Sequence, residues 1–208
     1  MENLPPQIEE TSEQAEDLPA GRPGQVIRDY LTLVLGAGTI IFLDTWTKQL
    51  VNEHIPVGGA WLPDGMSRFL EYFRITHLHN RGTAFSMFDN AYQINIIISV
   101  LAALVALVII VVYPRINPNE RALRLAILLQ LGGTIGNLIS RIQFGYVLDF
   151  ISVGNFAVFN IADSSLVVGA SLMVLAVLIE ELGDYREKRK VETPVEEIEP
   201  QVNPEDHS

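Results

Sequence analysis

Cysteine is absent from the 208-residue sequence, which excludes a disulfide framework and any chemistry based on a thiolate. Positive charge is also scarce, with 14 Lys and Arg residues against 25 Asp and Glu residues. A basic surface for nucleic acid is therefore not expected, and the sequence predicts no nucleic-acid partner.

The middle of the chain is nearly neutral in net charge. Of the total net charge of −11, residues 1–25 carry −5 and residues 184–208 carry −4, which leaves −2 for the 158 residues between them. This segregation argues against an acidic soluble globule. The two terminal segments are rich in Glu and Pro and poor in aromatics, so both are predicted to be disordered tails around a domain at 26–183.

Four stretches without charged residues lie in this domain, at 30–43, 91–114, 125–140 and 164–179. A helix that crosses a bilayer needs about 17 to 25 mainly apolar residues. The second stretch meets this length outright, and the others meet it if flanking polar residues such as Asp44, Arg124 and Arg141 lie at the membrane boundaries. We therefore expect an all-α membrane protein with four transmembrane helices, at about 28–50, 91–113, 122–141 and 163–182.

Basic residues near the helix ends are more numerous on the side that holds both termini and the 113–124 loop. By the positive-inside rule both termini are predicted to be cytoplasmic. Two segments then lie outside the cytoplasm. The first, about 52–90, is expected to form a small β-sheet with strands near 69–78 and 83–88; the second is expected to pair strands at 146–153 and 156–159.

Three acidic residues, Asp44, Asp149 and Asp163, lie in apolar surroundings near the predicted outer ends of the helices. An ionisable residue at membrane depth is a functional-site hypothesis by default. Two carboxylates brought together in a dry place cannot both ionise easily, so the pair can share a proton and act as general acid and base. Paired acids also serve proton coupling in membrane transporters, and both possibilities stay open.

Structural alternatives exist for two of these acids. Asp163 is a candidate helix N-cap, and Asp44 is placed to pair with Lys48 four residues later. His77 and His79 flank one residue of a predicted strand and could form a metal pair, but surface histidines without a third ligand are the preferred interpretation. No metal site and no cofactor is predicted.

Four motifs, in this order, resemble those of the bacterial lipoprotein signal peptidases, also called signal peptidase II. The first is Asp44-Thr45-Trp46-Thr47-Lys48, and the second is Asn80-Arg81-Gly82-Thr83-Ala84-Phe85-Ser86. The third runs from Gly132-Gly133-Thr134-Ile135-Gly136-Asn137 through Arg141 to Asp149, and the fourth is Phe159-Asn160-Ile161-Ala162-Asp163-Ser164. The resemblance covers roughly residues 27–183 and leaves the tails out.

This resemblance implies an aspartic endopeptidase of the bacterial cytoplasmic membrane, with Asp149 and Asp163 as its catalytic dyad. It implies a prolipoprotein substrate that carries a diacylglyceryl group on a cysteine, with cleavage just before that cysteine, at the extracytoplasmic face among membrane lipids. Supporting or substrate-binding roles are implied for the motif residues Asp44, Lys48, Asn80, Gly82, Asn137, Arg141 and Asn160. A monomer suffices for all of this.

One position departs from the family pattern, which usually has an aspartate immediately before the arginine of the third motif, where this chain has Ser140. The loss of a charged neighbour of Arg141 could change how that arginine is held. A catalytically weakened relative that binds prolipoproteins, and a small proton-coupled transporter, are therefore kept as alternatives.

Overall fold

The computed structural model describes residues 23–61, 72–82 and 91–192 of the chain. Within these ranges the α-helices are α1 (Pro23–His54), α2 (Ala91–Val112), α3 (Arg121–Phe144) and α4 (Ile161–Glu192), and the strands are β1 (Ala60–Trp61), β2 (Phe73–Asn80) and β3 (Val147–Val153). A 3₁₀ turn, Tyr113–Arg115, follows α2. We refer to the end of the helix bundle that carries the strands as the sheet end, and to the end with the 3₁₀ turn as the opposite end.

Among the described residues, four helical segments are long and apolar enough to cross a membrane, and the second of them includes the 3₁₀ turn after α2. These segments are Gly24–His54, Tyr92–Arg115, Arg121–Phe144 and Ile161–Gly183. Large apolar side chains such as Leu107, Val108 and Val167 are more than half exposed on the outer surface. A helix in lipid satisfies its own backbone hydrogen bonds and can present such side chains to hydrocarbon. The four-helix membrane architecture with a small sheet, expected from the sequence, is confirmed.

Helix α3 packs against the other three helices, and its glycines allow the close approach. A Cβ at Gly132 would lie 2.7 Å from Ile40 Cβ on α1, and a Cβ at Gly133 would lie 2.5 Å from the Ala162 carbonyl oxygen on α4. Small residues bring helix backbones together in membrane proteins. Gly132 and Gly133 therefore place polar groups of α1, α3 and α4 within hydrogen-bonding reach at the sheet end.

The strands form one antiparallel sheet in the order β1-β2-β3. The prediction of two separate strand pairs was wrong, because β3 pairs with β2 and places Leu78 opposite Asp149. The segment 156–159 adds only a bridge from Phe159 to Ile151, since the chain turns at Gly154, whose φ of 52° is left-handed. The strand expected at 83–88, and residues 69–71 of its partner, lie outside the described residues.

Three helices extend beyond their predicted ends. Helix α1 runs from Pro23 to His54, α3 reaches Phe144, and α4 continues to Glu192, into the segment expected to form the C-terminal tail. The added turns of α4 contain Glu, Arg and Lys, which favour helix formation as strongly as apolar residues. Of the predicted tails, 1–25 and 184–208, residues 1–22 and 193–208 lie outside the described residues.

A buried ion pair joins α1 to α3 at the opposite end. Arg124 Nη2 lies 2.6 Å from Asp29 Oδ1, and the guanidinium lies 4.4 Å from the ring centroid of Tyr113. Arg124 Nη1 also donates to the Ile116 carbonyl oxygen at 3.0 Å. The sequence analysis treated Arg124 as a boundary residue that reaches toward water, but the structure places it inside the bundle with Asp29 as its partner.

Candidate active site

The polar residues singled out by the sequence converge at the sheet end of the bundle. They come from α1, β2, α3, β3 and the start of α4, so that the site is assembled only by the tertiary fold. The contributors are Asp44 and Lys48 on α1, Asn80 at the end of β2, Asn137 and Arg141 on α3, Asp149 on β3, Asn160 before α4, and Asp163 in its first turn.

The first turn of α4 is held by a reciprocal pair of hydrogen bonds. The Asp163 backbone N–H donates to Asn160 Oδ1 at 2.9 Å, and the Asn160 backbone N–H donates to Asp163 Oδ2 at 3.1 Å. This is a capping box with Asn160 as the N-cap. The alternative that Asp163 is itself the N-cap was therefore wrong by three residues, although its carboxylate does stabilise the helix start.

Asp44 reaches the same turn from α1. Its Oδ1 accepts the backbone N–H of Ala162 at 2.9 Å, and its Oδ2 lies 2.7 Å from Lys48 Nζ. The predicted pairing of Asp44 with Lys48 is thus confirmed, and it accounts for only one of the two carboxylate oxygens. Asp44 is completely buried, so both oxygens need these partners.

Asp149 lies on β3 and is buried, with 3% of its surface exposed. Its Oδ2 accepts from Asn80 Nδ2 at 2.8 Å and its Oδ1 from Asn160 Nδ2 at 2.7 Å. Burial raises the pKa of Asp149 to about 6, and the charge of Asp163 acts in the same direction. The two amide hydrogen bonds and the Lys48 ammonium oppose this rise.

Asn160 joins the two carboxylates, because its side chain donates to Asp149 while its backbone and side chain bond Asp163. A second amide reinforces the link: Asn137 Nδ2 donates to Asp163 Oδ1 at 2.7 Å, and Asn137 Oδ1 accepts from Asn160 Nδ2 at 3.2 Å. The half-buried Arg141 guanidinium interacts electrostatically with both acids. Two carboxylates held through shared amides beside one guanidinium can exchange and share a proton.

Lys48 is buried, and its ammonium group has three acceptors. These are Asp44 Oδ2 at 2.7 Å, Asn137 Oδ1 at 3.1 Å and Ser140 Oγ at 3.1 Å. An ammonium group has three protons to donate, so every donor is used. Lys48 is therefore a buried support for Asn137 and makes no direct hydrogen bond to either Asp149 or Asp163 among the contacts of the described residues.

Ser140 was expected to affect Arg141, its neighbour in sequence, but its side chain points to Lys48 instead. The sequence analysis missed this contact. A signal was available, because Ser140 lies three residues after Asn137, which makes the two side chains neighbours on the helix, whereas residues adjacent in sequence such as Ser140 and Arg141 do not face each other.

A cleft of about 370 Å³ opens beside Asp163 and Arg141, between α2 on one side and α3 and α4 on the other. The α2 wall is apolar, with Ile98, Leu101, Ala102 and Val105. The opposite wall carries polar groups, including Asn137. A segment with apolar side chains and a polar backbone could lie in this cleft with its carbonyl groups next to the polar wall.

Gly82 supports the site through its backbone. Its φ of 79° is left-handed, and its N–H donates to Asn80 Oδ1 at 2.9 Å. This bond turns the Asn80 amide so that Nδ2 points to Asp149. A residue with a Cβ would be strained at this φ.

The two histidines lie next to Asn80 on β2. His77 is buried rather than on the surface, which corrects the sequence interpretation. Its Nδ1 lies 2.7 Å from the Ile55 carbonyl oxygen and its Nε2 lies 3.1 Å from His79 Nε2, while the His79 ring stacks on Tyr146. Across the described ranges, no cluster of three or more His, Cys, Asp or Glu side chains is placed to hold a metal ion.

With this geometry established, the chain can be compared with known proteins. A family model described as signal peptidase (SPase) II matches residues 37–179. The chain belongs to the signal peptidase II family. The matched range contains all the residues of the candidate site, from Asp44 to Asp163.

Several relatives of the signal peptidase II family align over most of their length. The lipoprotein signal peptidase of Moorella thermoacetica is 33% identical over 155 residues, which cover 72% of this chain and 94% of the relative. That of Caldanaerobacter subterraneus subsp. tengcongensis is 38% identical over 137 residues, which cover 64% of this chain and 87% of the relative.

The fold agrees with the sequence match. A bacterial membrane enzyme determined by the in meso method at 2.3 Å resolution superposes with a TM-score of 0.62 at 25% identity, covering 72% of this chain and 89% of that one. A second such structure, at 1.9 Å resolution, gives a TM-score of 0.61 at 26% identity and covers 71% and 92%. Neither the family match nor these relatives supports the transporter alternative.

Proposed function

We propose that this protein is an aspartic endopeptidase that removes the signal peptide from prolipoproteins carrying a diacylglyceryl group, cutting just before the lipidated cysteine. The observation that carries the proposal is the pair of carboxylates, Asp149 and Asp163, bound to the same residue, Asn160. Membership of the signal peptidase II family supports the substrate class.

The chemistry follows from the unequal surroundings of the two acids. Asp149 is the more buried, and its raised pKa suits it to hold a proton near neutral pH. In the reactive form Asp149 is protonated and Asp163 is ionised. A water held between them loses a proton to Asp163 as its oxygen attacks the scissile carbonyl carbon, and Asp149 donates its proton, which completes the leaving amine when the C–N bond breaks.

The cleft between α2 and α3/α4 is the proposed binding site for the substrate. A signal peptide is apolar and its lipidated cysteine carries acyl chains, so both match the apolar α2 wall. Arg141 and Asn137 lie on the polar wall and can bind carbonyl oxygens of the extended backbone near the cleavage point. No cofactor is needed for these steps.

We place the protein in the bacterial cytoplasmic membrane as a monomer, with both termini in the cytoplasm and the sheet end on the extracytoplasmic face. The excess of Lys and Arg on the side of the termini supports this orientation. The exposed apolar side chains on the outer surface of the bundle support this placement, because a diacylglyceryl chain would then reach the cleft from the bilayer.

The direct test incubates the purified full chain in detergent or nanodiscs with a diacylglyceryl-modified prolipoprotein and follows product mass. Cleavage is expected immediately before the modified cysteine, and Asp149→Asn and Asp163→Asn variants are expected to yield no product. An unlipidated precursor serves as the substrate control and should remain intact. Cleavage by both variants at the wild-type rate would contradict the dyad, and an inert wild-type protein would contradict the proposed function.

A further inference from the structure

Ser140 places a small uncharged group next to the buried charges of the site. It is 5% exposed, its Oγ accepts from Lys48 Nζ at 3.1 Å, and its hydroxyl donates to the Gly136 carbonyl oxygen at 3.2 Å. The hydroxyl thus has a donor and an acceptor fixed by its neighbours, and it bonds neither Asp149 nor Asp163.

The acceptors around Lys48 set the charge balance of this part of the site. Only one of the three, Asp44, is a carboxylate, whereas Asn137 and Ser140 contribute neutral oxygens. The pair Asp44–Lys48 is therefore neutral as a unit. The ammonium charge nevertheless acts on Asp149, where it favours the ionised form.

Lys48 also fixes the orientation of an amide that touches the dyad. Asn137 Oδ1 accepts from both Lys48 Nζ and Asn160 Nδ2, so its Nδ2 is left to donate to Asp163 at 2.7 Å. If the Asn137 amide were flipped, its oxygen would face the Asp163 carboxylate and its NH2 group would face the donors of Lys48 and Asn160. The bond from Lys48 therefore helps decide which end of the Asn137 amide meets Asp163.

We propose that Ser140 is a positioning residue for the dyad: as a neutral third acceptor it holds Lys48 on Asn137 while leaving the ammonium charge compensated by a single carboxylate. This inference rests on the proposed function for its catalytic consequence. A carboxylate at position 140 would compete with Asn137 for the ammonium group and add one negative charge close to Asp149 and Asp163.

The structure offers room to test this without disturbing the backbone. A cavity of about 260 Å³ adjoins Ser140 and Lys48, and its other lining residues include Thr45, Gln143 and Tyr146. An asparagine or aspartate side chain at position 140 can extend into this space. Ser140→Asn and Ser140→Asp have nearly the same shape and differ mainly in charge, so they form a matched pair.

The test measures kcat/KM against pH for the wild type, Ser140→Asn and Ser140→Asp in the same detergent. We expect the fall in activity that follows loss of the Asp149 proton to move to higher pH in Ser140→Asp, by on the order of one pH unit, because a nearby negative charge disfavours ionisation. In Ser140→Asn the pH at which kcat/KM falls to half of its maximum is expected to equal that of the wild type, even if the maximal rate differs. Equal midpoints in the Asp and Asn variants would overturn the inference.

A second measurement does not depend on catalysis. Aspartate labelled with ¹³C at the carboxyl carbon is titrated by NMR in all three proteins, and the Asp149 signal is assigned by its loss in Asp149→Asn. A higher titration midpoint in Ser140→Asp than in Ser140→Asn supports the role of Ser140, and coinciding midpoints refute it. If the wild type titrates as expected and cleaves no prolipoprotein, the proposed function fails while this result still decides the inference.

Discussion

The bundle buries ionisable side chains at both of its ends, and the two groups differ in how their charges are balanced. At the opposite end, one acid meets one base: Asp29 and Arg124 lie 2.6 Å apart, and Tyr113 covers the guanidinium. At the sheet end, the three acids Asp44, Asp149 and Asp163 outnumber the two bases near them, the buried Lys48 and the half-buried Arg141.

This difference separates a structural cluster from the proposed catalytic one. The enclosed ion pair of the opposite end holds α1 to α3. At the sheet end Asp44 uses the ammonium, and the other two acids are held mainly by neutral amides from Asn80, Asn137 and Asn160. Amides hold a carboxylate without fully compensating its charge, so its proton affinity can remain in the working range.

The largest effect is expected from neutralising the reactive acids. Asp149→Asn and Asp163→Asn should each lower kcat by roughly 10³-fold or more, because each removes a proton-transfer group. The unfolding temperature of Asp149→Asn in detergent should change little, because the loss of one of the two amide hydrogen bonds is offset by the removal of a buried ionisable group. Rates from single-turnover cleavage and melting curves on the same samples provide the measurement. A folded, fully active Asp149→Asn variant would contradict the proposal that the sheet end is catalytic and the opposite end structural.

The opposite pattern is expected for the structural pair. Asp29→Asn should lower the free energy of unfolding by about 3–5 kcal/mol, because it leaves the Arg124 charge buried without compensation. The activity of the protein that remains folded should be unchanged. The double variant Asp29→Leu/Arg124→Leu removes both charges and should recover much of the loss. A fall in kcat at unchanged stability would show that the opposite end also serves catalysis.

The packing that assembles the reactive end can be tested through glycine. Gly133→Ala should lower kcat/KM by about 10²-fold, because the new methyl group pushes α4 away from α3 and separates Asn137 from Asp163 by a fraction of an ångström to an ångström. Gly38→Ala is the matched control, since a Cβ there meets nothing within 4 Å. Equal activities in the two variants would show that the site tolerates movement of α4.

The smallest effect concerns pH. With a pKa of about 6, Asp149 loses its proton as pH rises through that value, so kcat/KM should decline on the alkaline side of about pH 6. The midpoint belongs to the coupled pair rather than to one residue. Stability should follow the same sign: protonated Asp149 favours the folded state at low pH, and this contribution is lost as pH rises through 6. A rate that stays flat from pH 5 to pH 8 would contradict the assignment of the shared proton to Asp149.

The sequence predicted the parts of this molecule that depend on local composition. An uncharged run such as 91–114 specifies a membrane helix wherever it lies in the fold. The order of the motifs predicted that Asp149 and Asp163 belong to one site. The pairing of β3 with β2 was missed because strand partners are chosen in three dimensions, with Asp149 facing Leu78 across about 70 residues of chain.

Interactions between distant helices could not be predicted from the sequence either. The local sequence predicts that Arg124 is a membrane-boundary residue, and only the fold shows that Asp29, 95 positions away, is its partner. The local sequence also permits Asp163 as an N-cap, but the bond from the Asp163 backbone N–H to Asn160 Oδ1 shows that Asn160 is the N-cap of α4. In both cases the local pattern has more than one solution, and the packing of α1 and α3 with their neighbours selects among them.

The hydrogen bond from the Ala162 backbone to Asp44 spans 118 residues of chain, so it can form only after the start of the last helix has been synthesised. The first helix enters the bilayer before Asn137 and Ala162 have been made, and Asp44 and Lys48 then have only each other. The remaining partners arrive with the third and fourth helices. A nascent chain is therefore unable to hydrolyse peptides during its own insertion, and proteolytic competence begins only when the last helix docks on the first.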